Sequence, residues 1–451
     1  MQKLDRAIVI GGSMGGLLAA RVLADHYENI TVLERDEFPP IGVQRCGVPQ
    51  GRHTHGLLAS GRDVIERLFP GISNELIAAG AIAGDIAQDS RWFIDGACLV
   101  RFQSGLDGLL LTRPLLEGIV RRRLFSLPNI DARQNFQVNG IVVSEDRRQV
   151  TGVKGAGTEL LADLVVDTTG RGSRAPQWLE AIGYPKSVEE RVQVDLAYTT
   201  RFFRRDRGHL NGDSVVVIPP TPEGKRGGVM LAQEGERWTV TLIGHFGHAA
   251  PLDLDGFVEY ARTLPAPYIY EVIRDCEPVS YPVSARFRAS LRHRYESLTE
   301  FPEGFLVFGD AISSFNPIYG QGMSVAALEA LELTAALREG SGGLARRFFR
   351  RAARVVDMPW TISVGNDLRM PETVGPRNAG VNFVNWYMTK LHTAAHSDRV
   401  AAMAFFQVSN LLAPPPSVMR PKVVLGVLRG NLIRQAGRSR AAASQRSAAS
   451  V

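Results

Sequence analysis

Cysteine is scarce in this chain. Cys46, Cys98 and Cys276 are the only three in 451 residues, far apart and odd in number. That excludes a disulfide-stapled scaffold, and no Cys-x-x-Cys or other metal-ligand spacing is present, so a reducing, cytoplasmic compartment is the simplest expectation. Long hydrophobic runs are also missing near the start. The uncharged run over residues 7–20 follows Lys3 and Arg6, is 14 residues long, and is broken by Gly11, Gly12, Gly15 and Gly16. It is too short for a bilayer, which takes about 20 residues, and too rich in glycine for the apolar core of a cleaved signal. Acidic residues are absent from 400–451, where Arg420, Lys422, Arg429, Arg434, Arg438, Arg440 and Arg446 stand. The net charge is +6, so those seven bases leave the other 399 residues at about −1. A nucleic-acid reading would rest on this basic end alone. It carries neither interleaved aromatics nor a nucleic-acid motif, so no nucleic-acid partner is expected, whereas peripheral membrane contact stays open.

What is present is glycine, 45 residues, in a chain whose 45% apolar and 22% charged residues are ordinary for a globular protein. The length allows two or three domains. Ala7-Ile8-Val9-Ile10 reads as a buried strand, Gly11-Gly12-Ser13-Met14-Gly15-Gly16 as a tight turn, and 17–24 as a helix. A second strand, Ile30-Thr31-Val32-Leu33, ends in Glu34-Arg35. This is a βαβ unit in which Gly11 permits the turn and Gly16 lets the helix approach the strand. The helix-start amides then face a pyrophosphate, and Glu34 can accept from a ribose hydroxyl. Ser13 stands where the pattern usually has its second glycine. A second glycine-rich match, 340–345, follows a helix and reads as a helix stop.

Three later segments narrow the choice of dinucleotide. Residues 162–174 form a buried strand ending in Asp167-Thr168-Thr169-Gly170-Arg171-Gly172-Ser173. Residues 304–311 form an apolar strand ending in Gly309-Asp310. Asn316-Pro317-Ile318-Tyr319-Gly320-Gln321-Gly322-Met323-Ser324 then opens a helix over 325–337. In this order the motifs, across roughly residues 5–340, resemble the FAD-dependent monooxygenases of the aromatic hydroxylase and squalene epoxidase type. The resemblance implies that Asp310 binds ribityl or ribose hydroxyls, that the Pro317–Met323 turn meets the pyrimidine edge of the flavin, and that Asp167 and Gly170 lie near the pyrophosphate. Arg45 and Arg113 resemble two further cofactor contacts of that family. The stretch Gly47-Val48-Pro49-Gln50-Gly51-Arg52-His53-Thr54-His55 adds a similarity to bacterial polyether-type polyene epoxidases. Arg52 there suits a phosphate or a carboxylate, and His53 and His55 read as hydrogen-bonded histidines beside the cofactor rather than metal ligands. The expected cofactor set is therefore Gly11, Gly12, Ser13, Met14, Gly15, Gly16, Glu34, Arg35, Arg45, Arg52, Arg113, Asp167, Gly170, Asp310, Pro317, Gly320, Gln321, Gly322 and Met323.

The expected fold is α/β: a Rossmann-like FAD-binding domain from 1–185 and 285–340, an antiparallel sheet over 186–284 with part of 70–110, a helical region over 341–436, and a disordered basic tail over 437–451. Removing that tail should leave FAD binding intact. Val192, Val194, Leu196, Tyr198, Thr200 and Phe202 alternate as one face of a strand, and 214–218 and 238–243 are further β runs. Trp92, Phe102, Phe202, Trp238 and Phe246 are candidates for a hydrophobic substrate pocket. The resemblance implies NAD(P)H, directly or through a separate flavin reductase, as electron donor, and O₂ activated as a C4a-hydroperoxyflavin that attacks a hydrophobic small molecule. No protein base is recognisable, which favours epoxidation of a polyene, polyketide or isoprenoid C=C bond over hydroxylation of an aromatic polyketide. A prenyl-chain reductase is the alternative without oxygen insertion. A halogenase is disfavoured, because its Trp-x-Trp-x-Ile-Pro signature is missing.

Overall fold

The computed structural model describes residues 4–433, and the expected tail over 437–451 lies outside them. The chain opens with β1 (Leu4–Ile10), α1 (Met14–Leu23) and β2 (Tyr27–Leu33). It continues through β3 (Ser90–Ile94), α2 (Arg113–Phe125), β4 (Ile130–Arg133) and β5 (Leu164–Asp167). Then come β6 (Glu189–Arg204), β7 (Val215–Ile218), β8 (Arg226–Gln233), β9 (Arg237–His245), β10 (Val283–His293) and β11 (Phe305–Val307). The last named elements are helices: α3 (Gly322–Arg338), α4 (Leu344–Asp367), α5 (Ala379–Ala395) and α6 (Arg399–Ser409), and residues 421–433 are helical too.

Five strands form a parallel sheet in the order β11-β5-β1-β2-β4. Its central members are unbroken apolar runs because both faces are covered, by helices such as α1 and by a three-stranded antiparallel sheet over residues 138–161; Ile8, Val9, Val165, Val166 and Leu306 are all at most 2% exposed. The pairing Ile10↔Leu33 beside Ile10↔Asp167 brings three strand ends together, and ligands of such sheets sit beyond those ends. The second sheet, of eight strands, runs β10-β6-β9-β8-β7-β3 between the short strands Ser313–Ser314 and Ala97–Cys98. It therefore continues past residue 284, to His293 and beyond, because β10 pairs along nearly the whole of β6. Segment 90–98 joins its far edge through the parallel pairing of β3 with β7.

The alternation of β6 decides which side chains serve the site. Tyr198 and Thr200 face one way, while Phe203 faces the other, into a core of Trp238, Phe257 and Ile269 under the helices Leu254–Arg262 and Tyr268–Ile273. Residues 340–345 do end a helix: α3 stops at Arg338, Gly340 takes φ +107, and α4 begins at Leu344. Helices α4 to α6 and 421–433 close over β3 and its turn in a third core that includes Ile94, Leu391, Ala395 and Phe406.

Candidate active site

One continuous cavity of about 1780 Å³ starts at the carboxyl ends of the parallel strands and runs between the large sheet and the C-terminal helices. Single small-ligand pockets hold roughly 300–1,000 Å³, so this one has room for a dinucleotide and a second molecule.

At its inner end the Gly turn behaves as its sequence requires. Gly11 sits at φ +105, where a Cβ would also press on Thr168, and a Cβ on Gly16 would fall 1.8 Å from the Gly11 carbonyl oxygen. Helix α1 thus starts directly against the strand turn. Ser13, its N-cap residue, makes no side-chain capping bond, so the first amides of α1 keep their hydrogen-bonding capacity. The Ser13 hydroxyl donates instead to Glu117 Oε2 at 3.0 Å and accepts from the Arg113 guanidinium at 2.8 Å. Arg45 pairs with Glu34 at 2.6 Å and Glu117 at 3.4 Å, and Glu34 also accepts from the Gly12 amide at 2.8 Å. Arg45 and Arg113 thereby share Glu34, Glu117 and the Ser13 hydroxyl in one ion-pair cluster beside the turn, with buried Arg121 next to it. Glu117 was missed by the sequence reading. Its only signal was the four-residue spacing from Arg113, which on a helix usually marks a surface ion pair.

The second helix start on the cavity is that of α3. Asn316 Oδ1 accepts from Ile318 N, Gly320 takes φ +66, and Gln321, the N-cap residue of α3, makes no side-chain capping bond. Pro317, Gly320, Gln321, Gly322 and Met323 all line the cavity, and Gln321 Oε1 is buried without a partner among the described residues. Asp310 also lines it. Enclosure by protein raises the Asp310 carboxyl above its ordinary range, against the pull of Arg113 and Arg171. Glu329 on α3, likewise unforeseen, fixes the turn before it by accepting from the Gly309 amide at 2.7 Å, and burial with Asp310 nearby pushes its carboxyl up to about 8.

Most of the expected cofactor set converges here: Gly11, Ser13, Met14, Gly15, Glu34, Arg35, Arg45, Arg113, Gly170 and Asp310 line the same cavity as the 317–323 turn. Gly12 and Gly16 stand behind it, shaping the turn. Two further residues of the expected set lie off the cavity lining. Asp167 is fully buried and its carboxylate closes its own loop, accepting from the Thr169 amide and hydroxyl and from the Ser173 hydroxyl, so its neighbours Thr168 to Gly170 face the cavity in its place. Arg52 points to solvent at the end of the short helix Pro49–Arg52.

His53 and His55 do sit on the wall. His53 Nδ1 meets the Thr200 hydroxyl at 2.8 Å, and His55 Nδ1 meets the His53 carbonyl at 3.0 Å. Burial, with Arg52 beside one and Arg113 beside the other, brings their ionisation down to about 4 and about 3, so both are neutral near pH 7. Among the described residues no group of three His, Cys, Asp or Glu could hold a metal ion.

Of the aromatic candidates, Trp92 lines the cavity, but Phe102, Phe202, Trp238 and Phe246 do not. The period of two explains Trp238: Thr241 and Ile243 of β9 face the cavity, so Trp238 faces the opposite core, where its Nε1 donates to His209 Nδ1 at 3.0 Å. Phe202 shares the cavity face of β6 but lies outside the lining, beneath Arg237. Phe246 follows the end of β9 at φ +49, beside Lys225. Phe102 packs on the third core. The outer end of the cavity is instead walled by α4 to α6, which contribute Asp367, Met388, His392 and Phe405.

Asp367 stands at the junction of the two ends. It accepts from Asn316 Nδ2 at 2.8 Å and from the Tyr319 hydroxyl at 2.9 Å, while its second oxygen is buried without a partner among the described residues. Burial raises its carboxyl from 3.8 to about 7, although both donors pull it down.

The fold is shared with solved flavoproteins. PqsL of Pseudomonas aeruginosa, described as a probable FAD-dependent monooxygenase, superimposes with a TM-score of 0.62 at 16% identity, covering 85% of this chain and 100% of its own. The flavin-dependent brominase Bmp2 gives 0.63 at 12% identity, covering 97% and 100%. The architecture is therefore that of FAD-binding, aromatic hydroxylase-type proteins. No protein-family model matches the chain. Protein Rv3254 of Mycobacterium tuberculosis is 34% identical over 388 residues, which span 81% of this chain and 80% of that protein. This chain belongs to the family of Rv3254.

Proposed function

We propose that the protein is an FAD-dependent monooxygenase that places one oxygen atom from O₂ on a hydrophobic small molecule. One observation carries this reading: two helices, α1 and α3, open without side-chain caps on a single elongated cavity that is too large for one ordinary ligand. The residues present fit FAD. Gly11 and Gly16 hold the first turn tight against the start of α1, Glu34 at the end of β2 would accept from a ribose hydroxyl, and the α3 amides, with Gln321 beside them, would meet the flavin ring. Arg113 and Asp310 would hold the polar middle of the cofactor. When bound, FAD supplies the activation of oxygen; the chain supplies binding, orientation and the exclusion of water. NAD(P)H or a separate reductase supplies the electrons.

Epoxidation of a C=C bond needs no protein base, and hydroxylation of a phenolic ring gains from one. His392, on the wall of the cavity and paired with Asp95, favours hydroxylation. Among the described residues no helix is long and apolar enough to cross a membrane. Exposed Leu425, Leu428 and Leu432, interspersed with basic residues, support peripheral contact with an anionic bilayer at this end, to be read by co-sedimentation with anionic against zwitterionic vesicles.

The test is to load the purified protein with FAD, record its flavin spectrum, and follow NAD(P)H oxidation with candidate phenols and polyenes under ¹⁸O₂. The expected product carries one labelled oxygen. A chain that cannot be loaded with FAD would overturn the proposal; a reduced product without oxygen would replace it with the reductase, and a halogenated one with the halogenase.

A further inference from the structure

Large apolar side chains gather on the outer surface of the C-terminal helices. Phe383, Val384 and Met419 line the cavity and are also 51%, 48% and 43% exposed, so the cavity wall passes there into the molecular surface. Trp386, 56% exposed, packs beside Phe383 with ring centroids 5.8 Å apart. The helical segment 421–433 lies against the same helix, α5. Asn431 Nδ2 donates to the Lys390 carbonyl at 2.9 Å, and a Cβ on Gly430 would fall 2.8 Å from Ala394. The Tyr387 hydroxyl donates to the Val418 carbonyl at 2.7 Å, which holds the 415–419 turn on α5 as well. Val423 and Val427 turn inward to the third core, which leaves Leu425, Leu428 and Leu432 as an outward stripe at helical spacing.

Exposed apolar surface of this extent, at the lip of a cavity, marks an interaction face. Three occupants compete, and composition separates them. From 373 to 433 the sequence holds six bases, Arg377, Lys390, Arg399, Arg420, Lys422 and Arg429, and one acid, Asp398. That acid caps α6, accepting from the Val400 and Ala401 amides, while Arg420, Lys422 and Arg429 are exposed among the leucines. The rest of the chain does not suit the face: residues 434–451 add four arginines and, before Val451, no large apolar side chain. A second copy would set this basic patch against itself, because a two-fold contact joins the same surface of both subunits. An anionic bilayer offers apolar interior to the leucines and phosphates to the bases.

We propose that this face seats on an anionic phospholipid bilayer with the mouth of the cavity turned to the lipid, and that the substrate is a lipid-soluble molecule that enters from the bilayer. The cavity offers such a guest apolar surface from Met388, Phe405, Val217 and Leu231. Entry from the bilayer extends the peripheral contact of the proposed function, and it rests on the oxygenase reading for its chemistry but not for its test.

The test uses vesicles of phosphatidylglycerol mixed with phosphatidylcholine brominated on its acyl chains, because bromine quenches an indole only on near contact. Trp178, Trp238 and Trp360 are buried, and Trp386 is exposed at the proposed contact. The purified full-length chain is expected to float with the vesicles and to lose tryptophan fluorescence, and Trp386→Phe should float equally without that loss. Leu425→Glu, Leu428→Glu and Leu432→Glu combined should weaken binding at least about tenfold with native circular dichroism. Diphenylhexatriene dissolved in the same vesicles is the apolar probe: wild type released in high salt should carry the dye, and the triple variant should not. Binding without quenching of Trp386, equal binding to purely zwitterionic vesicles, or a dye-free wild type would overturn the proposal. So would a chain that ignores vesicles, whether monomeric or a dimer broken by Trp386→Ser. Failure to load FAD with quenching and dye uptake intact would overturn the oxygenase reading alone.

Discussion

Single residues set the site's response to pH and its tolerance of substitution. The Asp367 carboxyl moves from 3.8 to about 7 on burial, so the folded chain binds its proton more tightly than the unfolded one. Its contribution to stability is therefore fully present below pH 4 and is lost as the pH rises through 7. Groups facing it are Tyr319 and Asn316, with Arg369 nearby. Asp367→Asn keeps an oxygen for both donors and removes the titration. Urea unfolding at pH 5 and pH 8 should show the wild type losing stability relative to this variant, by about 2–3 kcal/mol. An equal change in the two proteins would contradict a neutral, buried Asp367. Gly16 gives a sterner case. Because its added Cβ would overlap the Gly11 carbonyl oxygen, Gly16→Ala must push α1 off the strand turn. The expected cost is about 3 kcal/mol or more, with loss of FAD retention on gel filtration.

Elements that local pattern dictates were readable, and those that depend on long-range pairing were not. The β1–α1–β2 unit and the 316–324 turn declared themselves, since a φ of +105 at Gly11 or of +66 at Gly320 leaves a local requirement for glycine. The alternation of β6 was also legible, but which face would meet the ligand was not; the same ambiguity on β9 is why Trp238 was placed on the wrong side. Asp167 looked like a cofactor contact because its strand end is right, while its bonds to Thr169 and Ser173 depend on how the loop folds back. The Asp95–His392 pair spans 297 positions and leaves no trace in spacing. Glu117 illustrates the same limit on α2, where one buried carboxylate serves Ser13, Arg45 and Arg113 together. Glu117→Ala should leave two buried guanidinium groups undercompensated and cost about 3–5 kcal/mol, far above a surface i,i+4 pair. A melting-temperature change as small as a surface mutant's would show that the cluster is solvated.

At the scale of the whole molecule the cavity is a seam. Its walls come from the parallel sheet, the large antiparallel sheet and helices α4 to α6, so no one layer encloses it. A ligand in that seam binds only when all three are assembled, and its binding energy adds to the folding of each. With FAD at about 100 times its dissociation constant, the gain is about 2.7 kcal/mol, a rise of a few degrees in melting temperature. Calorimetry should show one transition moving upward as FAD is added. If the C-terminal helices were merely attached to a cofactor domain, part of the heat would stay at the original temperature while the rest moved. A single shifted transition follows from the shared walls, because Asp367 on α4 binds Asn316 and Tyr319 in the very turn that precedes α3.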